Sequence, residues 1–584
     1  MGGAGRHADK MRWAGCGYGR CVRAMWLGMR EMLGLGRVGS KAMVRMSRIG
    51  SAFFLCLAGF CVLAGVLPRH FGFPLDDSWI HQTVARNLVE THVFGYLPGV
   101  HSSGSSSLLW TMVLLVPYVF SRVMDPVVYS TVLNAMLLGL TGAGLMYLAE
   151  RDGLPRFDAW VLGLAPMLNA NFAWLGLLGM EHVLFVALSV GTVCLWFVDR
   201  NRGWVLPLTV VLMGLLTMTR PEGLFFLGVL VLFRRRAKRS WGEVGALLAA
   251  VAVCEGLVLR VNWIASQTLL PLTMKGRQWL YFGDGPIGRY QRYELLRDWV
   301  FRLLRTWSAE PAWLRLTDHR VVVLGFVAAV AVAAKIGRLH GRGQDRTAAL
   351  LLWAACLDGI YLVGLPAPGH GGRYQPFEVL LALPLLVLAG RSVVGRVLRR
   401  FGAGEGWTRG ATACLVAVLA VSTGASYATW WRLSRDGIDQ INQEHGAMGD
   451  WVVSHIAAED VAARRMAVFD IGRIGYDVRG SLVDLGGLTD PQYLAYLKSR
   501  TVPGYLAAHG IRYVVLPTSP EMPERFRRKL LPEEPVPYEL EELHTVCSTA
   551  ERTRAVLAAT GAALRCQTAY AIRFPRAASP AAAR

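Results

Sequence analysis

The chain has 584 residues, 53% hydrophobic and only 18% charged, with a formal net charge of +21 and a mean hydropathy of +0.35. Soluble domains carry about 25% charged residues, and the apolar excess here is gathered into long runs, so a soluble globular protein is excluded and a polytopic α-helical membrane protein is expected. Nucleic acid is excluded as a partner because the Arg and Lys cluster in short segments between apolar runs, the positive-inside pattern, for which anionic membrane lipids are the natural partner.

Residues 1–48 are basic and read as a cytoplasmic tail, since no hydrophobic stretch there is followed by a cleavage site. The first membrane-length apolar run, 51–68, then acts as an uncleaved anchor. Just past it comes Phe73-Pro74-Leu75-Asp76-Asp77-Ser78-Trp79. An Asp at the centre of a spanning helix costs about 2.5–3.5 kcal/mol, so the pair must emerge at the membrane edge. There it can mark the water boundary, take a proton from a substrate, or hold a cation. From Asp76 to Leu88 the apolar spacing is helical and predicts an amphipathic helix lying at the interface. The loop ends in the hydroxyl-rich turn 101–107.

Further apolar runs that could span are 107–123, 127–148, 158–176, 180–198, 204–219, 221–233, 244–264, 320–336, 347–364, 376–390 and 410–431. The basic segments 199–203, 234–240, 335–346 and 391–409 fall inside. Residues 70–106, 177–181, 219–223, 265–319, 366–375 and everything after 431 then fall outside. A cytoplasmic start with twelve spans would return the C-terminus to the inside, so one segment between 107 and 176 is misread; the expected count is 11 to 13. Three units follow: the tail 1–48, a membrane domain 49–431, and a polar domain 432–584. In the last, β-like runs at 465–469, 481–484 and 511–516 alternate with helical stretches at 490–498 and 503–509, which predicts a small extracytoplasmic α/β domain.

Ten cysteines are scattered along the chain. Cys16 and Cys21 lack a matching Cys/His pair for zinc. Cys56, Cys61, Cys194, Cys254, Cys356 and Cys414 sit in apolar runs as ordinary small residues. Cys547 and Cys566 are placed to form a disulfide if their domain lies outside the cytoplasm.

Five polar patches share the expected outer face: loop 70–106, Leu178-Gly179-Met180-Glu181-His182, Thr219-Arg220-Pro221-Glu222-Gly223, Leu269 to Lys275, and Pro368 to Gln375 with His370, Arg373 and Tyr374. Singly each has a structural explanation. Arg220 and Glu222 can pair with each other or with Glu181, Lys275 can snorkel, and Arg373-Tyr374 can anchor at the interface. Together they place acids and cations on one membrane face. Such a group can hold a lipid phosphate while an acid deprotonates a nucleophile. Glu255 with Arg260, and Asp358, lie within spans, as functional groups or helix braces. Glu444, His445 and Asp450 follow the last span, where a solvated helix is the simpler expectation.

The stretch Asp76-Asp77-Ser78-Trp79-Ile80 through Ala85-Arg86-Asn87-Leu88, then Gly104 to Trp110, resembles the first outer loop of the GT-C superfamily of polyprenyl-phosphate-sugar-dependent glycosyltransferases, and within it the bacterial arabinofuranosyltransferase-like branch. Gly179-Met180-Glu181, Thr219 to Gly223, Leu270-Pro271 with Lys275, and His370 with Arg373-Tyr374 resemble later motifs of that branch in the same order, as do 469–476 and 484–491. The resemblance spans roughly residues 50–516. It implies inverting transfer of a sugar from a polyprenyl-phosphate donor to a hydroxyl of a cell-envelope glycan, lipid or protein acceptor, at the outer face of the bacterial inner (cytoplasmic) membrane.

By the same resemblance, Asp76 is the general base, and Asp77 orients the acceptor or helps bind a divalent cation. No cofactor is required with certainty, since paired acids merely permit a metal. Arg373 and Lys275, with Arg220, face the departing phosphate; Arg86, Glu181, Glu222, His370 and Tyr374 complete the substrate-binding set. The chain departs from the branch's pattern at His101 to Ser106 and at His182. The competing reading is a lipid or glycan transporter or flippase. It would spread charges through the membrane depth, whereas the motifs here concentrate on one face. A non-catalytic scaffold is a third reading, against which the intact acid pair stands.

Overall fold

The computed structural model describes residues 54–59, 61–62, 65, 71–121, 123–198, 202–282, 288–296, 343–366, 369–402, 405–456, 465–518, 527–528, 530–532, 536–548 and 566–575. The tail 1–48 with Cys16 and Cys21, much of the anchor 51–68, and the apolar run 320–336 lie outside the described residues.

The membrane part is helical. Its first described long element, α1 (Asp77–Thr91), is followed by two short helices, α2 (Leu108–Val113) and α3 (Leu115–Val119), and then by α4 (Pro126–Arg151). Asp125 starts α4: its carboxylate accepts from the Val127 and Val128 N–H groups, and Pro126 fills the first turn, where a missing N–H costs nothing. Next come α5 (Arg156–Leu168) and α6 (Ala170–Leu177). They meet at a 48° bend, where the Asn169 side chain caps α6. Then follow α7 (His182–Trp196), α8 (Val205–Thr219), α9 (Gly223–Leu232), α10 (Trp241–Ser266), α11 (Leu272–Phe282), α12 (Asp345–Gly364), α13 (Pro376–Arg400) and α14 (Glu405–Gln440). Helical structure continues from α14 through two π-helical turns to Ile456, past the composition change at residue 431.

Among the described residues, four helices are long and apolar enough to cross a membrane: α4, α10, α12 and the helix Arg409–Ile456. Counting the bent α5–α6 pair as one span gives five. This count covers the described residues alone, without the run 320–336 and much of 51–68, and α7, α8 and α9 are apolar but shorter. Only 17% of the apolar window of α10 is buried, and Leu248, Val253 and Leu257 on it are exposed; so broad an apolar surface suits lipid, not water.

The run 107–123 forms the two short helices α2 and α3. Leu108–Val119 rises only about 18 Å at 1.5 Å per residue, against roughly 30 Å of hydrocarbon. Both its ends also touch α1: Thr111 shares a hydroxyl bond with Ser105, itself 3.1 Å from His81, and the Tyr118 hydroxyl donates to Gln82 at 2.9 Å.

After the membrane part comes a five-stranded sheet of β1 (Met466–Val468), β2 (Leu482–Asp484), β3 (Tyr513–Thr518), β4 (Glu539–Cys547) and β5 (Cys566–Arg573), ordered β2-β1-β3-β5-β4. The first three are parallel; β5 pairs antiparallel with both β3 and β4. The strands expected at 465–469, 481–484 and 511–516 are β1, β2 and β3; β4 and β5 are additions. Cys547 and Cys566 face each other across β4 and β5 and are bonded.

Alternation divides the sheet's side chains between two faces. Met466, Val468 and Val515 pack with Ile80, Val84, Met448 and Ile471. Ala467, Val514 and Leu516 pack with Leu272, Trp279, Tyr493 and Leu506. One face therefore lies on α1, on the end of the long helix and on α15 (Ile471–Val478). The other lies on α11, α16 (Pro491–Ser499) and α17 (Val502–Ala508). This corrects the expectation for α1. It is a helix, but Ser78 through Asn87 are all buried, because the sheet domain covers the face that would otherwise lie at the interface.

Candidate active site

Helix ends carry the polar patches. Asp77 opens α1, Glu181 precedes α7, Arg220 ends α8, and Glu222 precedes α9. Chain reversals between apolar helices leave backbone and side-chain polar groups at the rim, so these short motifs collect at one end of the bundle. Two glycines allow the approach. Gly179 has φ +63°, and a Cβ there would lie 2.2 Å from the Phe73 ring; Gly371 has φ +61°, and its Cβ would lie 2.1 Å from Trp174. Only glycine takes such backbone readily.

Asp77 is the centre. Its Oδ2 accepts from Arg277 Nη2 at 3.0 Å and from Arg373 Nη2 at 2.5 Å. Arg277 also donates to the Tyr374 hydroxyl at 2.9 Å. Arg373 is buried, and its guanidinium lies 5.4 Å over the Tyr374 ring. Burial would push the Asp77 carboxyl up, but Arg373, Arg277 and His370 hold it well below the usual carboxylate range. It is therefore ionised at any physiological pH.

A second group adjoins the first. Tyr361 stacks on Tyr374 at 5.2 Å and hydrogen-bonds both Arg220 and Glu222. Arg220 also pairs with Glu222 at 3.3 Å and lies 3.7 Å from Glu181. His81 and His182 stand 3.8 and 3.9 Å from Glu181. Four of the five patches thus meet, through Asp77 and His81 from the first loop, Glu181 and His182, Arg220 and Glu222, and His370 with Arg373 and Tyr374; the patch Leu269 to Lys275 is represented only by Arg277, two residues beyond it.

Three expected site residues point elsewhere. Lys275 makes no ion pair with a described residue; Arg277, two positions on and so on nearly the opposite helix face, is the cation that reaches Asp77. Arg86 donates to the Tyr476 carbonyl at 2.6 Å and stacks on the Tyr476 ring at 4.5 Å, which ties α1 to α15. Asp76 turns away from Asp77. It accepts from the Gly472 and Arg473 N–H groups at 2.7 and 2.8 Å and from His445 Nδ1 at 2.9 Å. An acid at a helix N-terminus meets orphan donors and a favourable dipole, so Asp76 caps α15 from another part of the chain.

Against the solvated-helix expectation, Glu444 and His445 are buried, while Asp450 is exposed. Sequence reasoning missed Arg277, His81 and Tyr361. The signal for Arg277 was its place in Lys275-Gly276-Arg277, where Gly276 marks a close approach: a Cβ there would lie 2.7 Å from the Gly487 carbonyl.

The divergence of the acids bears on a cation. Asp77 is already neutralised by two guanidinium groups, and among the described residues no three His, Cys, Asp or Glu are arranged to hold a metal ion. Glu255 and Arg260 on α10 form no ion pair with each other.

A family model described as a domain of unknown function (DUF8728) matches residues 436–564, the end of the long helix and most of the sheet domain. No curated protein matches the chain. Among solved structures, the chain is similar to the archaeal oligosaccharyltransferase AglB from Archaeoglobus fulgidus in complex with an inhibitory peptide and a dolichol-phosphate, at 12% identity and a TM-score of 0.45, covering 80% of this chain and 69% of that one. It is also similar to ArnT from Cupriavidus metallidurans bound to undecaprenyl phosphate, at 12% identity and a TM-score of 0.48, covering 90% and 98%.

Proposed function

We propose that the protein is a membrane-bound glycosyltransferase. It moves a sugar, with inversion, from a polyprenyl-phosphate donor to a hydroxyl of a cell-envelope glycan, lipid or protein. The observation that carries this reading is the convergence at Asp77. Residues from five separate parts of the chain meet there, and they set an ionised acid beside two guanidinium groups, a phenol and a second cluster of Arg220, Glu222 and Glu181. Cations for a leaving phosphate and an acid for an acceptor hydroxyl are what such a transfer needs. A transporter would line its path through the membrane depth, and here the groups sit at helix ends.

The placement of charge supports an outward site. Arg346 pairs with Asp152 at 3.0 Å and Arg391 pairs with Asp158, at the end of the bundle opposite Asp77, where the basic loops lie. With 107–123 removed from the spans, the sequence count becomes eleven, and a cytoplasmic tail then agrees with a C-terminal domain outside the cytoplasm. The disulfide fits that compartment. In this reading the chain is a multi-pass protein of the bacterial cytoplasmic membrane, and the sheet domain covers the site through α1 and α11.

In this reading Asp77, set between Arg277 and Arg373, is the acid for the acceptor hydroxyl, and Asp76, bonded to α15 and His445, is structural. The family resemblance would make Asp76 the base. Transfer of radiolabelled sugar from a panel of polyprenyl-phosphate donors, in membranes at matched expression, separates the two. Asp77→Asn is expected to abolish transfer, and Asp76→Asn to reduce it along with thermal stability. The reverse pattern would restore Asp76 as the base. If wild type transfers from no donor, the enzyme reading fails and a lipid-flipping assay tests the transporter.

A further inference from the structure

Far from Asp77, beside the Arg346–Asp152 and Arg391–Asp158 pairs, a cavity of about 200 Å³ lies between four helices. Leu145 and Leu148 of α4, Leu162 of α5, Leu350 and Leu351 of α12 and Leu381 of α13 make its floor. Each of them is no more than 5% exposed. Gln344, Thr347 and Asp158 stand at one end, where α12 and α5 begin. Asp158 accepts from Arg391, and the Thr347 hydroxyl donates to Asp152 at 2.7 Å.

Packed helices leave few voids larger than a water molecule. A water needs two to four polar partners, and an apolar cavity of about 150 Å³ stays dry and takes a benzene ring. By that measure this one holds about eight carbon atoms of hydrocarbon. The leucine floor offers a water nothing to bond. Leu385 and Leu388, about one turn apart on α13, also line the cavity, yet they are only half-buried. Apolar groups left open on a helix of the membrane part suit a hydrocarbon neighbour.

We propose that this cavity binds the end of an acyl chain from a membrane phospholipid, which enters past Leu385 and Leu388. The proposal rests on the membrane placement of the bundle in the reading above, and not on the reaction. The chain supplies the contacts that the walls of a void lack. It also joins helices whose other ends reach the candidate site. Tyr361 lies in the last turn of α12, α13 begins three residues after Arg373, and α5 leads through α6 to Glu181. The lipid is therefore a brace at the inner end of the bundle, and not a substrate.

Photolabelling tests it without any readout of sugar transfer, so the glycosyltransferase reading stands or falls separately. Full-length protein is placed in vesicles of phosphatidylethanolamine and phosphatidylglycerol with a trace of phosphatidylcholine that carries a diazirine at the end of one chain. After irradiation, labelled residues are mapped by mass spectrometry in wild type, Leu351→Trp and Leu381→Phe. Wild type is expected to take label on the cavity floor, at Leu145, Leu148 or Leu162, and also on the open apolar surface of α10. Each larger side chain fills the cavity from one wall, so the floor label should be lost while α10 keeps its own. Label on α10 with none on the floor of wild type overturns the proposal. Floor label that survives both substitutions overturns it too, since lipid outside the bundle would then be its source. Should neither variant fold, octane added to lipid-free wild type in amphipol decides. A ligand of the folded state must raise the unfolding midpoint, and an unmoved midpoint refutes the site.

Discussion

Asp76 and His445 are 369 positions apart in sequence and 2.9 Å apart in the structure. Their bond joins the first outer loop to the segment leading into the sheet domain. Burial alone would lower the imidazole's affinity for a proton, but Asp76, with Asp470 and Glu444 nearby, raises its pKa from 6.5 to about 9. The folded state therefore favours the charged form, and this contribution is complete below pH 6.5 and lost as pH rises through about 9. At full value it is worth up to about 3 kcal/mol. The thermal unfolding midpoint of wild type is expected to fall between pH 6.5 and 9, and that of His445→Gln to be flatter over the same range. A wild-type curve as flat as the variant's would show that His445 is neutral in the fold.

A column of rings and guanidinium groups docks α15 on α1. Arg86 lies 4.5 Å over Tyr476, Tyr476 lies 4.8 Å from Trp79, and Arg473 lies 4.6 Å over Trp79. Lys cannot stack and bond a carbonyl as a guanidinium does. Arg86→Lys should therefore cost about 1–2 kcal/mol and make residues 465–478 more open to limited proteolysis. Unchanged protease resistance would remove Arg86 from the docking surface.

Gly475 sits where α15 meets the first loop. A Cβ there would lie 1.7 Å from the Tyr96 hydroxyl, which is itself committed to the Ile471 carbonyl at 2.6 Å. Overpacking of a buried contact costs about 1–3 kcal/mol, so Gly475→Ala is expected to lower the unfolding midpoint. The paired change Gly475→Ala with Tyr96→Phe should recover part of the loss by removing the hydroxyl; a double variant no better than the single one would place the strain elsewhere.

The Cys547–Cys566 bond closes a segment of 19 residues. Loops of this size are stabilised by about 3 kcal/mol when cross-linked. Replacing both cysteines by Ser should lower the midpoint of the sheet domain and abolish the mobility difference between reduced and unreduced protein on a gel. No such difference in wild type would mean that the bond does not form in the cell.

Much of the membrane part was legible because hydrocarbon imposes a simple rule: runs of apolar residues, with cations between them on one side. The strands β1 to β3 were legible for a similar reason, being short, apolar and bounded by turns. Strands β4 and β5 were not. Glu539-Leu540-Glu541-Glu542 reads as polar surface, and it becomes a strand because β5 offers it an edge.

By itself the sequence determined which polar groups could not lie in lipid, and hence that Asp77, Glu181, Arg220, Glu222, Arg373 and Tyr374 share one rim. Only the tertiary structure decided how that rim is divided. Neighbouring side chains leave a helix start about 100° apart, so Asp76 and Asp77 were bound to part, but which faces the arginines depends on where α11 and α15 pack. Arg277 displaced Lys275 for the same reason: helix phase is set by Leu272 and Trp279 entering the sheet domain's core, a contact between segments some 200 residues apart that no local pattern records.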